Sequence, residues 1–182
     1  MTDTPRRRFG AIGIVAALVI VLDQLSKWWA VNALQDEVIP VVWTLQFNLA
    51  HNTGAAFSLG RGSDVTRLLP LLVLGAVVFF IWQSRGEVKK LGAVAMGMVL
   101  GGAIGNLIDR ALRTNGGAFF SGGVVDFIDF QWWPVFNVAD MGVVVGGLLL
   151  VASYLFLPAG DETRSAAHDG TTGAGTNAED AG

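Results

Sequence analysis

The chain has no cysteine, only two histidines and few charges. Without cysteine there is no disulfide stapling, no thiol nucleophile and no thiolate metal site. His51 and His168 are too few for a histidine-ligated metal centre, and no serine stands beside a plausible histidine base for a serine-type hydrolase. Charged residues make up 15% of 182 residues against 52% hydrophobic ones, and mean hydropathy is +0.53. That balance lies outside the usual range of a soluble domain and points to a membrane protein. The formal net charge of -3 decides little, because Asp161, Glu162, Asp169, Glu179 and Asp180 all belong to the C-terminal segment.

What is present is clustered. Apolar stretches cover residues 9–31, 66–82, 91–108 and 136–157. Each is near the roughly 17–25 residues an α-helix needs to cross a hydrocarbon core of about 30 Å. The expected fold is therefore an all-α polytopic membrane protein, with one four-helix domain over residues 1–158. A secretory signal in place of the first span is disfavoured, since no small-x-small cleavage site closes the run and three further spans follow. Residues 159–182, rich in Gly, Ala, Thr and Asp, cannot offset their ordering entropy by burial and read as a disordered cytoplasmic tail.

Lys and Arg orient the spans. Arg6, Arg7 and Arg8 at the N-terminus, and Arg85, Lys89 and Lys90 between spans two and three, place both segments in the cytoplasm. Both termini then lie on that side, and loops 32–65 and 109–135 face outward. In the first outer loop, the β-branched and aromatic run 38–47 and a short run 55–59 after an Asn-Thr-Gly turn signal predict a small extracytoplasmic β-rich unit. Its aromatics, with Trp28 and Trp29, are expected at headgroup level.

The polar residues gather at that outer end. Asp23 and Lys27 are four apart, on one helical face and within reach of an ion pair. Gly97, Gly101 and Gly105 in span three and Gly142 and Gly146 in span four are spaced for close helix approach. That packing would draw Asp140 against Asn106, Asp109 and Arg110, with Asp109 and Arg110 read as a structural pair and Asn106 as a hydrogen-bonding strut for a neighbouring loop. Asp126 and Asp140 bracket the entry to the last span. A carboxylate near a membrane helix costs roughly 2.5–3.5 kcal/mol even on a lenient scale, so two together argue for function. Brought close, they would hold one proton between them, the state a water-activating acid/base pair requires. Asp129 is expected as a solvated loop acid.

These residues fall into four blocks: Asp23-Gln24-Leu25-Ser26-Lys27; Asn48 with Asn52-Thr53-Gly54-Ala55-Ala56-Phe57; Gly101-Gly102-Ala103-Ile104-Gly105-Asn106-Leu107-Ile108-Asp109-Arg110; and Val124-Val125-Asp126-Phe127 with Phe136-Asn137-Val138-Ala139-Asp140. In this order the chain resembles the lipoprotein signal peptidases, or signal peptidase II, over residues 9–157. The resemblance implies that Asp126 and Asp140 are the catalytic dyad, that Asn52, Gly54, Asn106, Arg110 and Asn137 line the site or bind substrate, and that Asp23 and Lys27 support it. It implies an intramembrane aspartyl endopeptidase that cleaves diacylglyceryl-modified prolipoproteins before the lipidated cysteine. No metal, cofactor or nucleic acid is implied. The expected setting is the bacterial cytoplasmic membrane, with lipid as partner, a monomeric enzyme and the active site at the outer face.

The glycine-rich segment 114–123 departs from compact members, and its Phe119 and Phe120 are expected on a mobile flap over the site. The competing function is a small proton-coupled transporter, which also uses membrane carboxylates. Its midplane placement and inverted repeat are not evident here. A packing scaffold would leave the outer Asn and Asp residues unexplained.

Overall fold

Pro5 opens the first helix at a position where a missing N–H is no loss, and the helix runs for 29 residues to Ala33. This computed structural model describes residues 5–52, 75, 90–113 and 122–156. Its elements in chain order are α1 (Pro5–Ala33), β1 (Ile39–Val42), β2 (Leu45–Asn52), α2 (Lys90–Leu112), β3 (Val124–Asp129) and α3 (Val138–Phe156). The protein is thus mostly helical with a small sheet. Among the described residues, Phe9–Ala33 and Lys90–Leu112 are long and apolar enough to cross a membrane, while α3 is apolar over the shorter stretch Val138–Ser153. Of the expected second span only Gly75 is described, and it is helical. Gly54, the 55–59 run, the flap phenylalanines and the tail 159–182 lie outside the described residues.

The outer faces of the helices are greasy at helical spacing. Ile14, Leu18, Val21, Leu22 and Leu25 on α1 and Met141, Val144, Val145, Leu148, Val151 and Leu155 on α3 are exposed. Water would not tolerate apolar rows this long on a monomer, whereas lipid does. The inner faces are small. α2 lies between α1 and α3, and it uses two different glycine rows to do so. Gly97, Gly101 and Gly105 face α1: a Cβ on Gly101 would stand 2.7 Å from the Ala16 carbonyl oxygen. Gly102 faces α3, where a Cβ would strike the Ala139 carbonyl oxygen, and Gly142 and Gly146 close the same contact against Met98 and Ala95. The expected approach of Asp140 to Asn106 is thus made chiefly through Gly102, while the 97/101/105 stripe lies mainly on α1 and only Gly105 also reaches α3, at Ala139. A central helix needs a small face toward each neighbour.

The sheet is three-stranded and antiparallel, in the order β1-β2-β3. Run 38–47 is two strands rather than one, because the chain reverses at Trp43, whose φ of 51° is left-handed. The third strand is Val124–Asp129, a segment expected to be loop. It pairs with β2 so that Ala50 stands opposite Asp126 and Gln46 opposite Asp129. Val125 and Phe127 of β3 bury against Ala30 and Leu34 at the end of α1. Trp29 meets Phe47 and Phe127 edge-on at centroid distances of 5.3 and 6.1 Å, which seats the sheet on the helix.

Candidate active site

Asp140 enters the site through helix capping. Asn137 is the N-cap of α3: its Oδ1 accepts the Asp140 N–H at 2.9 Å, and the Asp140 Oδ2 accepts the Asn137 N–H in return at 3.2 Å. This is the reciprocal capping box, and it holds the carboxylate at a helix N-terminus, where negative charge is favoured. The other Asp140 oxygen accepts Asn106 Nδ2 at 2.8 Å, reaching across from α2.

Asp126 enters through the sheet. After β3 the chain turns at Gln131, φ 67°, and returns so that Phe136 bridges Ile128: Ile128 N donates to Phe136 O at 2.9 Å and Phe136 N to Ile128 O at 3.1 Å. That return lays Asn137 alongside Asp126. Asn137 Nδ2 donates to Asp126 Oδ1 at 2.6 Å, so one asparagine touches both aspartates. Asp126 is only 2% exposed. Burial pushes its carboxyl up to about 7, and the charge of Asp140 pushes the same way, against hydrogen bonds from Asn137 and Asn52 and the charge of Lys27.

Beneath the pair lies a fully buried ion cluster. Lys27 Nζ is 2.9 Å from both Asp23 Oδ2 and Asp109 Oδ2, and it donates to Asn106 Oδ1 at 3.0 Å. Three partners take the three ammonium N–H groups, which is what a lysine without solvent requires. The carboxylates pass the order onward. Asp23 Oδ1 accepts the Ala139 N–H at 2.9 Å, in the first turn of α3 beside Asp140. Asp109 Oδ2 accepts the Val125 N–H at 3.1 Å, next to Asp126. One cluster thereby ties α1 and α2 to both carboxylate-bearing segments.

The structure brings together Asp126, Asp140, Asn52, Asn106, Asn137, Asp23 and Lys27 from the expected site. Arg110 is buried in the last turn of α2, with Asp109. Both had been placed in an outer loop, but the helix continues to Leu112. Asp109 is held by Lys27 and by Arg113 Nε at 3.1 Å, and Asn106 braces the start of α3 rather than a loop. Two contributors were missed. Arg113 stands four positions after Asp109, a spacing that signals a helical ion pair. Gln24, between the cluster's carboxylates, donates to Asp23 Oδ2 at 3.0 Å and to the Gly105 carbonyl at 3.2 Å.

Asp129 is corrected from a solvated acid to a buried one, 7% exposed. It accepts Gln46 Nε2 at 2.8 Å, Asn48 Nδ2 at 3.3 Å and the Gln131 N–H at 2.6 Å. Those bonds, Gln46 first, hold its carboxyl below the usual range. Three positions along a strand put it on the face opposite Asp126. Its work is to fasten the turn that returns Asn137 to the site.

The chain is similar to known proteins over most of its length. Residues 15–156 match the family model of signal peptidase (SPase) II. The lipoprotein signal peptidase of Mycobacterium avium is 44% identical over 156 residues, spanning 85% of this chain and 84% of that one. That of Mycobacterium tuberculosis strain H37Rv is 42% identical over 154 residues, 84% of this chain and 74% of the relative. A bacterial membrane enzyme solved by the in meso method at 1.9 Å resolution superimposes with a TM-score of 0.65 and 27% identity, covering 80% of this chain and 93% of that one. None of these relatives supports the transporter reading. With a family match over nearly the whole helical region and relatives of this identity, the chain belongs to the signal peptidase II family of aspartic peptidases.

Proposed function

We propose that Asp126 and Asp140 form the catalytic dyad of an endopeptidase that removes the signal peptide from diacylglyceryl-modified prolipoproteins, cutting before the lipidated cysteine. The observation that carries this reading is the Asn137 bridge, which gathers both carboxyl groups into one hydrogen-bonded set while Asp126 is pushed up to about 7. Ionised Asp140 takes a proton from water, the hydroxide attacks the scissile carbonyl carbon, and protonated Asp126 gives its proton to the carbonyl oxygen. The tetrahedral intermediate then collapses. One hydroxyl of the intermediate returns its proton to Asp126 as the carbonyl is restored, the C–N bond breaks, and the proton on Asp140 passes to the departing cysteine amine. Asn52, Asn106 and Asn137 hold the two acids, and the family resemblance gives Gly54 and Arg110 a part in binding substrate.

The membrane setting follows the same line. Four spans, with both termini in the cytoplasm, place the sheet and the dyad at the outer face, where a substrate with acyl chains in lipid presents its peptide bond. Positioning then needs little more than bringing two carboxyls to a bond already at that depth. The enzyme works as a monomer in contact with lipid. Purified Asp126→Asn and Asp140→Asn variants, assayed in detergent on lipidated and unlipidated precursor peptides, test both parts. Near-native turnover by either variant removes the dyad, and equal cleavage of both peptides removes the lipid requirement.

A further inference from the structure

Asn106 stands between groups with opposite demands. Lys27 Nζ at 3.0 Å and Asn137 Nδ2 at 3.1 Å both donate to its Oδ1, while its Nδ2 donates to Asp140 Oδ1 at 2.8 Å. Rotating the amide by half a turn would set an NH₂ group against an ammonium and a second NH₂, and an oxygen against a carboxylate. All three contacts would become repulsive, so the orientation is decided by its neighbours. Lys27 has no freedom to yield, since its side chain is fully buried and its other two N–H groups are engaged by Asp23 and Asp109.

We propose that Lys27 is a positioning residue for the reaction: acting through the Asn106 amide, it keeps an N–H donor on Asp140 Oδ1, reserves the ionised role for Asp140 and leaves the shared proton to Asp126. This rests on the reading of Asp126 and Asp140 as the dyad and assigns the two roles within it. Asp140 Oδ2 also faces a donor, the Asn137 N–H at 3.2 Å, so a proton on either oxygen would meet an N–H. The raised carboxyl of Asp126 agrees with the same division. Among the described residues, the charged groups near the site on elements packed around Asp140 are Asp126 from β3, whose Asp129 lies on the opposite face, Asp23 and Lys27 from α1, and Asp109 and Arg110 from α2, with Arg113 just beyond it.

The decisive variant is Asn106→Asp. It keeps an acceptor for Lys27 and Asn137 in the same shape, but it turns a carboxylate oxygen instead of an N–H toward Asp140. In the full chain in detergent, on the lipidated peptide, KM should stay near the parent value, while the melting temperature should fall at neutral pH because a second carboxylate is set against Asp140. The turnover kcat should fall about 100-fold, the range of a general acid–base contribution. The ascending limb of the kcat–pH profile should move up by about one unit or more, because a like charge set against the water-activating carboxylate disfavours the ionised form the reaction needs. Lys27→Met should move that limb the same way and Lys27→Arg should recover part of it. If Lys27→Met does not fold, Asn106→Asp decides alone. An unmoved limb in Asn106→Asp, or in a folded Lys27→Met, overturns the proposal. Failure of the dyad reading itself looks different, as turnover surviving in Asp126→Asn or Asp140→Asn.

Discussion

Replacing Asp126 with asparagine should abolish turnover and, at neutral and alkaline pH, make the protein more stable. The buried carboxyl rises from 3.8 in the unfolded chain to about 7 in the folded one. Below 3.8 both states hold the proton, and the side chain contributes no pH dependence. As pH climbs from there the unfolded chain releases its proton while the folded protein keeps it, so stability declines until folded Asp126 ionises near 7. Each unit of difference is worth about 1.4 kcal/mol, so the loss levels off at roughly 4 kcal/mol above pH 7. Asparagine has the same shape, still offers Oδ1 to Asn137 Nδ2, and carries no charge. Thermal unfolding of parent and Asp126→Asn in one detergent, from pH 4 to 9, should show melting temperatures that nearly coincide at pH 4. The variant should gain an advantage of roughly 8–16 °C above pH 7, at about 2–4 °C per kcal/mol for a chain of this size. A variant that melts lower at pH 8, or an advantage that does not grow with pH, would refute the account of a carboxyl destabilised by burial and by its neighbour. The trade is a familiar one, in which a strained functional group is retained at the expense of stability.

Three further outcomes are expected. The value of kcat/KM on a lipidated peptide should fall with unit slope above about pH 7, as the acid form of Asp126 is lost, and a profile flat to pH 9 would contradict its role as proton donor. Gly105→Ala would bring a Cβ to 2.6 Å from Asp23 Oδ2, so it should cost about 1–3 kcal/mol by overpacking and displace the cluster; an unchanged melting temperature would argue against the close α1–α2 contact. Gln46→Leu removes the main donor to Asp129, whose lowered carboxyl contributes stability above the unfolded value and loses it as pH falls through the folded one. The variant should therefore be about 1–3 kcal/mol less stable at pH 7, and the difference should shrink as pH falls through the acid range, with acid-range melting curves as the check.

Much of this was legible in the residues themselves. A lysine four positions after an aspartate in an apolar run has few ways to be satisfied, and Asp23 and Lys27 meet as that spacing requires. The gathering of the four polar blocks was likewise readable, because membrane carboxylates are too costly to scatter. Less legible were the elements whose identity depends on a distant partner. Val124–Asp129 is a strand because β2 lies beside it, although its own flanks are glycine-rich. Asp129 reads as a solvated acid until Gln46, 83 residues earlier, is placed opposite it.

By itself the sequence determined which chemistry was within reach: apolar stretches long enough to span a bilayer, no thiol, too few histidines for a histidine-ligated metal centre, and two aspartates set at the entry to the last helix. Those properties are local, being consequences of residue type and of spacing along one chain. Only the tertiary structure decided that Gly102 makes the tightest approach to α3 while the neighbouring stripe lies mainly on α1, that one buried ammonium serves Asp23, Asp109 and Asn106 together, and that Asn137 spans both acids. Such choices arise where three helices and a sheet compete for the same few donors, and the energy of each contact depends on which others have formed.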